Sequence, residues 1–173
     1  FYSKGDVGKG CDLFMQRNFP TPDKYIVITE GEIDSLSAYQ MLKDYYQRKG
    51  SPFEIACVSG TVGKNSTYQI QKQYDFLSKF ENIVISYDAD ADGQAMIDEL
   101  ASVLPKGKVR VMKMRYKDAN VYLEKGADQE FIKDFYDAEM YVPVGVVASN
   151  KISGEMRQER QTPKIPLPPF MHK

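Results

Sequence analysis

Four short apolar runs, each followed by a helical or polar segment, constrain the fold of this chain more than any other feature. The runs are rich in β-branched residues and predict strands at 24–29, 53–59, 82–88 and 108–114. Apolar residues at helical spacing between them predict helices over 31–50, 67–80 and 93–105. This alternation is typical of βαβ units with right-handed crossovers. We therefore expect an α/β, Rossmann-like fold with a mainly parallel four-stranded sheet flanked by helices.

The segments outside this pattern differ in composition. Residues 1–23 contain scattered Gly and Pro and are expected to be the irregular tail of a preceding subdomain or linker. Two short helical pieces are expected after the fourth strand, at 118–125 and 128–138. Residues 149–173 are polar and then rich in Pro, which is typical of a semi-rigid linker. The predicted folded domain therefore spans residues 24–148.

Composition excludes several classes of protein. The 173 residues suffice for one domain with a hydrophobic core, and the net charge of −1 indicates no overall attraction to nucleic acid. The chain has two cysteines, Cys11 and Cys57, and one histidine, which argues against a disulfide framework or a Cys/His zinc site. Cys57 lies in an apolar run and is expected to be a buried free thiol. No apolar run reaches the roughly 20 residues of a membrane span.

The stretch SYDADADGQ, residues 86–94, places three aspartates at alternate positions before a glycine. With the glutamate that follows, these letters match the calcium-loop pattern D-x-D-x-D-G-x5-E. A calcium hand of this type is entered from a helix, whereas the residues before Asp88 have the β-branched composition of a strand. The pattern therefore favours a strand that ends in carboxylates over a calcium sensor.

Acidic side chains follow two strands that we expect to be neighbours. Glu30 comes directly after the first strand, and Asp88 and Asp90 come at the end of the third. Open α/β sheets bind ligands at this edge, where the strand order reverses. Two carboxylates about 4 Å apart repel by roughly 4 kcal/mol at an effective dielectric of about 20, and a hard divalent cation offsets that repulsion. The alternative is that neither acidic cluster binds an ion. Each would then only stabilise the N-terminus of the helix that follows it, through the helix dipole.

Three short motifs resemble the TOPRIM domain of bacteriophage bifunctional DNA primase–helicases and their mitochondrial, Twinkle-like relatives. IVITEGEIDSLSA is similar to the first motif, a strand that ends in Glu-Gly with Asp four residues after the Glu. VISYDADADG is similar to the second motif, D-x-D-x-x-G. KDAN, residues 117–120, and the loop SGTVGKNS resemble further elements of the phage proteins. The similarity covers residues 24–147.

This resemblance implies magnesium-dependent nucleotidyl transfer, in which RNA primers are made from ribonucleoside triphosphates on a single-stranded DNA template. Carried over by position, Glu30 is the candidate acid/base, and Glu30, Asp88 and Asp90 are candidate ligands of Mg²⁺, with Mn²⁺ as a substitute. Asp34 is a further catalytic candidate. Asp118 is expected to bind metal or nucleotide, or to hold ligands and lysines in place.

Basic residues near the same edge are candidate contacts for nucleotide or template DNA. Lys64 lies in the Gly-rich loop after the second strand, Arg110 lies on the fourth strand, and Lys117 follows that strand. For Arg110 the alternative is an edge strand that is protected by charge. For the two lysines it is ordinary solvation at the surface.

The resemblance also implies parts that these residues do not contain. The Cys-rich zinc module that reads the template and the Walker-type loop of a helicase motor have no counterpart in the sequence. We expect a helicase domain in cis, a ring oligomer formed by the full-length protein, and a location in the cytoplasm of a bacterial host cell. Two other functions remain open: a TOPRIM nuclease or topoisomerase-like fragment, and a catalytically inactive TOPRIM interaction domain.

Overall fold

The computed structural model describes residues 12–61, 66–88 and 91–143. The strands are β1 (Tyr25–Thr29), β2 (Ala56–Ser59), β3 (Asn82–Ser86), β4 (Val109–Val111) and β5 (Glu139–Met140). The helices are α1 (Glu32–Arg48), α2 (Ser66–Lys72), α3 (Tyr74–Leu77), α4 (Ala91–Val103), α5 (Ala119–Glu124) and α6 (Asp128–Tyr136), after a 3-10 turn at Gln16–Asn18. The predicted α/β class is confirmed.

The sheet has five strands in the order β2-β1-β3-β4-β5. The first four are parallel, as the alternation of strands and helices predicts, and β1 lies between β2 and β3. The fifth strand was not predicted. It runs antiparallel to β4, pairing Met140 with Arg110 and Glu139 with Val111. Two residues are too few to show the alternation that identifies a strand in a sequence.

Several segments differ in detail from the sequence-based expectation. The helix expected over 67–80 is divided into α2 and α3, with Gln73 between them accepting a hydrogen bond from Gln16 Nε2 at 2.9 Å. The fourth strand is shorter than the expected 108–114. The described part of the tail, residues 12–23, packs on the domain, because Leu13 and Phe19 are buried and the Phe14 backbone N–H donates to the Ser59 carbonyl.

The sheet separates two hydrophobic cores. Alternate residues of β1 point to opposite faces, so Tyr25 and Val27 pack with residues of α1, α5 and α6, and Ile26 and Ile28 pack with residues of α2, α3 and α4. All five residues of β1 are buried. Burial of each large aliphatic side chain contributes about 1.5–3 kcal/mol, which makes β1 the best-anchored strand. Within the described ranges, no helix has both the length and the hydropathy to span a membrane.

Three buried hydroxyl side chains lie side by side at the carboxyl ends of β2, β1 and β3. Thr29 is in register with Ser59 on one side and Ser86 on the other, and all three are buried. The Thr29 hydroxyl donates to the Gly31 carbonyl at 2.9 Å and lies 2.7 Å from Ser35 Oγ. These bonds fix the first turn of α1 against the end of β1, directly beside Glu30.

Candidate active site

Glu30 and Asp88 lie beyond the carboxyl ends of two adjacent parallel strands. Thr29 and Ser86 are paired in register, and the two acidic residues follow them by one and two positions. The chain passes from β1 to β2 on one side of the sheet and returns to β3 on the other, so the strand order reverses here. Because β3 leads into Asp88, the segment is not the helix–loop–helix of a calcium hand.

The Glu30 side chain is exposed, and its charge lies within electrostatic range of Tyr87, the residue before Asp88. Burial raises the pKa of the Tyr87 hydroxyl to about 12, a hydrogen bond with Ser66 opposes the rise, and the charges of Glu30 and Glu99 add to it. The charge of Glu30 after β1 is therefore felt at the residue that follows β3 by one position.

Asp34, in the first turn of α1, contacts both the start of its own helix and the start of α5. Its carboxylate accepts hydrogen bonds from the backbone N–H of Asn120, at 3.2 Å, and of Gly31. Burial raises the pKa of Asp34, and the charges of Asp118 and Asp88 raise it further, while the two N–H donors oppose the rise. Asp34, Asp88 and Asp118 therefore form one group of interacting carboxylates.

The segment Lys117–Asn120 joins this group to α5. Lys117 Nζ lies 3.5 Å from Asp88 Oδ2, with side chains 66% and 18% exposed. Asp118 is the N-cap of α5, and its Oδ1 accepts from the Val121 N–H at 2.9 Å. With Asp34 bound to the Asn120 N–H, two carboxylates satisfy two successive N–H groups in the first turn of α5.

Gly93 allows the close approach of α4 to Asp88. A Cβ atom at Gly93 would lie 2.2 Å from the Asp88 carbonyl oxygen and 3.0 Å from its carbonyl carbon. Both neighbours are backbone atoms that no side-chain rotation can move. The glycine in the D-x-D-x-x-G pattern is therefore required by packing against the aspartate that opens the pattern.

Arg110 is placed differently from the expected exposed face. The residue is only 5% exposed. Its Nε donates to Asn82 Oδ1 at 2.9 Å, and its Nη1 donates to the Ala138 carbonyl at 3.3 Å. Lys108, on the same strand face, donates to the carbonyls of Ser78 and Phe80. These contacts favour a structural role, in which Arg110 ties the start of β3 to the segment before β5.

Two of the predicted site residues, Asp90 and Lys64, lie outside the described residues. Over the ranges that the structure describes, no three His, Cys, Asp or Glu side chains are arranged to hold a metal ion. The oxygen donors that are described nevertheless suit Mg²⁺, which takes one or two carboxylates and keeps several waters. The Lys117 ammonium beside Asp88 shows that this carboxylate already attracts a cation. By donor chemistry, Asp88 and Glu30 are described side chains that could hold such an ion.

Sequence reasoning missed several residues that shape this edge. Asn120 accepts from Ser37 Oγ at 3.1 Å through Oδ1 and donates to Glu124 Oε1 at 2.8 Å through Nδ2, which links α1 and α5. Asp134 on α6 is buried and bonds to Tyr122 and Arg115. Their only sequence signals were the Asn of KDAN and one acidic residue among several on a helix of mixed composition, and neither signal indicates its partner.

Comparison with known proteins decides the family. A family model described as Toprim-like matches residues 27–123, which is more than half of the chain. This chain belongs to the Toprim-like family. The match begins within β1 and ends within α5, so it includes Glu30, Asp34, Asp88 and Asp118.

Curated relatives of this Toprim-like chain are much longer proteins. It is 31% identical over 147 residues to the DNA helicase/primase of Enterobacteria phage T3, covering 85% of this chain and 25% of the phage protein. It is 30% identical over 134 residues to the chloroplastic/mitochondrial Twinkle homolog protein of Arabidopsis thaliana, covering 70% of this chain and 19% of that protein. The chain thus spans a quarter or less of the relatives it matches. The resemblance to primase–helicases is confirmed.

Solved structures agree with this assignment. The primase fragment of the bacteriophage T7 primase-helicase matches with a TM-score of 0.62 and 32% identity, over 74% of this Toprim-like chain and 50% of that fragment. A structure of the T7 lagging-strand DNA polymerase with primase domains bound to an RNA/DNA hybrid and dTTP matches with a TM-score of 0.59 and 32% identity, over 69% and 57% of the two chains.

Proposed function

We propose that this chain is the catalytic Toprim part of a DNA primase–helicase and takes part in magnesium-dependent synthesis of RNA primers from ribonucleotides on single-stranded DNA. One observation carries the proposal. Two acidic turns, after β1 and after β3, lie on adjacent parallel strands where the strand order reverses, in a chain 32% identical to the primase fragment of a phage primase-helicase. Phosphoryl-transfer sites depend on such positioned charge.

We assign Asp88, Asp90 and Glu30 as the groups that hold Mg²⁺ or Mn²⁺. When bound, the ion lowers the pKa of an attacking hydroxyl and neutralises charge on the phosphates. Glu30 is exposed beside the end of β3, where its carboxylate can accept the proton of a primer 3′-hydroxyl. Asp34 and Asp118 anchor the first turns of α1 and α5 and add negative charge beside Asp88.

The basic groups of this edge are assigned to the nucleotide. Lys117 has a side chain that is 66% exposed and an ammonium beside Asp88, so it can transfer from that carboxylate to a triphosphate. Lys64 is proposed for the same task from its position in the sequence, between the residues of β2 and those of α2. Arg110 is left out of the set because its guanidinium is buried against Asn82 and Ala138.

The proposal includes partners outside these residues. They are a single-stranded DNA template, ribonucleoside triphosphates, a helicase domain in cis, a ring assembly of the full-length protein, and a zinc module for template reading. A net charge of −1 over the whole chain suits a part that holds metal and nucleotide while basic surfaces elsewhere hold the template. A cytoplasmic location in a bacterial host is part of the same proposal.

The test is primer synthesis by the natural full-length protein with ribonucleotides, a single-stranded template and Mg²⁺. Glu30→Gln and Asp88→Asn are each expected to lower the rate by about 100-fold or more. Asp75→Asn, an exposed carboxylate on α3, is the matched control and should synthesise primers at the parental rate. Parental rates in both site variants would refute the site assignment. Magnesium-dependent cleavage of DNA without primer synthesis would favour the nuclease reading, and neither activity would favour an interaction domain.

A further inference from the structure

A buried hydrogen-bonded cluster holds the middle of the loop between β4 and α5. Asp134 on α6 is 5% exposed. Its Oδ2 accepts from the Tyr122 hydroxyl at 2.6 Å, and its Oδ1 lies 3.1 Å from Arg115 Nη2. The Tyr122 oxygen also accepts from the Arg115 backbone N–H at 2.5 Å. We call Arg115, Tyr122 and Asp134 the loop clamp, because they bond to one another through both the backbone and the side chain of the loop residue.

The loop that the clamp holds carries Lys117 and Asp118, two of the residues assigned to the candidate active site. Residues 112–118 contain neither helix nor strand. The loop is fixed at its start by the Met112 N–H on the Ile85 carbonyl, at 3.0 Å, and at its end by Asp118, the N-cap of α5. Arg115 lies midway, two residues before Lys117 and three before Asp118. The clamp therefore determines how the loop leaves the core and where those two side chains stand.

Stability alone gives a poor account of this cluster. Moving the Asp134 carboxylate from water into the interior costs several kcal/mol. The Arg115 side chain that pairs with it is 43% exposed, so solvent weakens the attraction that would offset this cost. Most other buried side chains of this core are apolar or are tyrosines such as Tyr46 and Tyr136, whose hydroxyls contact each other. A buried carboxylate that is bonded to Tyr122 and Arg115 fixes directions and distances, which apolar packing does less well.

We propose that the loop clamp is a positioning device, in which Asp134 and Tyr122 set the distance of Lys117 from Asp88 and of Asp118 from Asp34. Lys117 Nζ lies at 3.5 Å from Asp88 Oδ2, near the limit of a direct ion pair, so a small shift of the loop changes this contact. Asp134 touches neither nucleotide nor metal in this account. It acts through Arg115.

The experiment compares two single changes on α6 in the natural full-length protein. Asp134→Asn removes the charge that holds Arg115 and keeps the shape of the side chain. Tyr136→Phe is the matched control: Tyr136 is 4% exposed on the same helix and bonds to Tyr46, away from the loop. Hydrogen–deuterium exchange is followed in peptides covering 112–121 and 41–49, at a temperature where both variants keep the parental circular dichroism.

Asp134→Asn is expected to speed exchange in the 112–121 peptide about tenfold, with the 41–49 peptide unchanged, whereas Tyr136→Phe leaves the loop protected. This part does not depend on the proposed function. If the site is a primase, Asp134→Asn should also lower kcat for primer synthesis about tenfold with KM for nucleotide within about twofold, since the nucleotide still binds but the charges around it are misplaced. Tyr136→Phe should keep the parental kcat.

The proposal is overturned if the two variants give the same exchange in the loop, because the cluster would then be an ordinary part of the core. It is also overturned if the loop is released and kcat stays parental while Glu30→Gln abolishes primer synthesis. Should Asp134→Asn fail to fold, Tyr122→Phe, which removes one hydroxyl and no charge, takes its place under the same criteria. Parental synthesis by Glu30→Gln would instead refute the primase assignment, and the exchange comparison alone would decide the inference.

Discussion

Asp34 accepts a hydrogen bond from the backbone N–H of Asn120 at 3.2 Å, although the two residues are 86 positions apart. The bond links the first turn of α1 to the first turn of α5, and Asp118 caps the same turn of α5. The carboxylates of Asp34 and Asp118 therefore hold the first turns of α1 and α5 together at the carboxyl edge of the sheet. Asp34 and Asp118, which are also predicted site residues, therefore have structural contacts of their own. Experiments must separate their effect on stability from any effect on activity.

Asp34→Asn tests the electrostatic part of this arrangement through pH. Because burial and the charges of Asp118 and Asp88 raise the pKa of Asp34 in the folded protein, its proton is held more tightly there than in the unfolded chain. The parent should therefore lose stability relative to Asp34→Asn as the pH rises from the ordinary carboxyl value of 3.8 through the raised folded value. Urea denaturation of both proteins between pH 3 and pH 7 measures the difference. A difference that is constant with pH would contradict it.

Gly93→Ala should destabilise the protein, although glycine to alanine in a helix normally stabilises by about 1 kcal/mol. The new Cβ would lie 2.2 Å from the Asp88 carbonyl oxygen, and relief requires a backbone shift that costs about 1–3 kcal/mol. Ala95→Gly, an exposed position on the same helix, should cost about 1 kcal/mol by propensity alone. Chemical denaturation compares the two changes. A stabilised Gly93→Ala protein would show that the contact is not tight.

Arg110→Met and Lys117→Met separate a structural cation from a binding one. The first should lower the free energy of unfolding by about 1–3 kcal/mol, since Asn82 and the Ala138 carbonyl lose their buried donors. The second should leave stability within about 0.5 kcal/mol, because the Lys117 side chain is mostly exposed, and should weaken nucleotide binding. Denaturation and nucleotide titration of each variant give both values. A stable Arg110→Met protein with weakened nucleotide binding would restore the original assignment.

Cys57 should be unreactive in the folded protein. Its thiol is fully buried in β2 without a disulfide, and burial raises the pKa of the thiol, so little thiolate is present near pH 8. A Cys11→Ser variant leaves one thiol to follow with a thiol-specific reagent. Labelling should require unfolding and should accelerate sharply in denaturant. Rapid labelling under native conditions would mean that β2 opens far more easily than its burial implies.

The parallel sheet and the adjacency of the strands that lead into Glu30 and Asp88 were accessible from sequence because both depend on local signals. The apolar runs before Glu30 and Asp88 identify strands, and parallel strands bring their carboxyl ends to one edge. Identification of Cys57 as a buried free thiol followed from the same kind of signal.

The features that sequence did not reveal depend on tertiary contacts. A cation at an alternating position of a strand is typical of an exposed face, whereas Arg110 is buried and donates to Asn82 and to the Ala138 carbonyl. The two-residue β5 carries no periodicity. The bonds of Asp134 to Tyr122 and Arg115 join residues whose spacing matches no motif. These side chains are specified by neighbours in space.

The most direct test of the account is Mn²⁺ binding to the natural full-length protein, followed by electron paramagnetic resonance of the free ion. The account holds that the turns after β1 and β3 share one divalent cation, so Glu30→Gln and Asp88→Asn should each weaken binding by about tenfold or more, and Asp75→Asn should not. Parental affinity in both Glu30→Gln and Asp88→Asn would contradict the shared site.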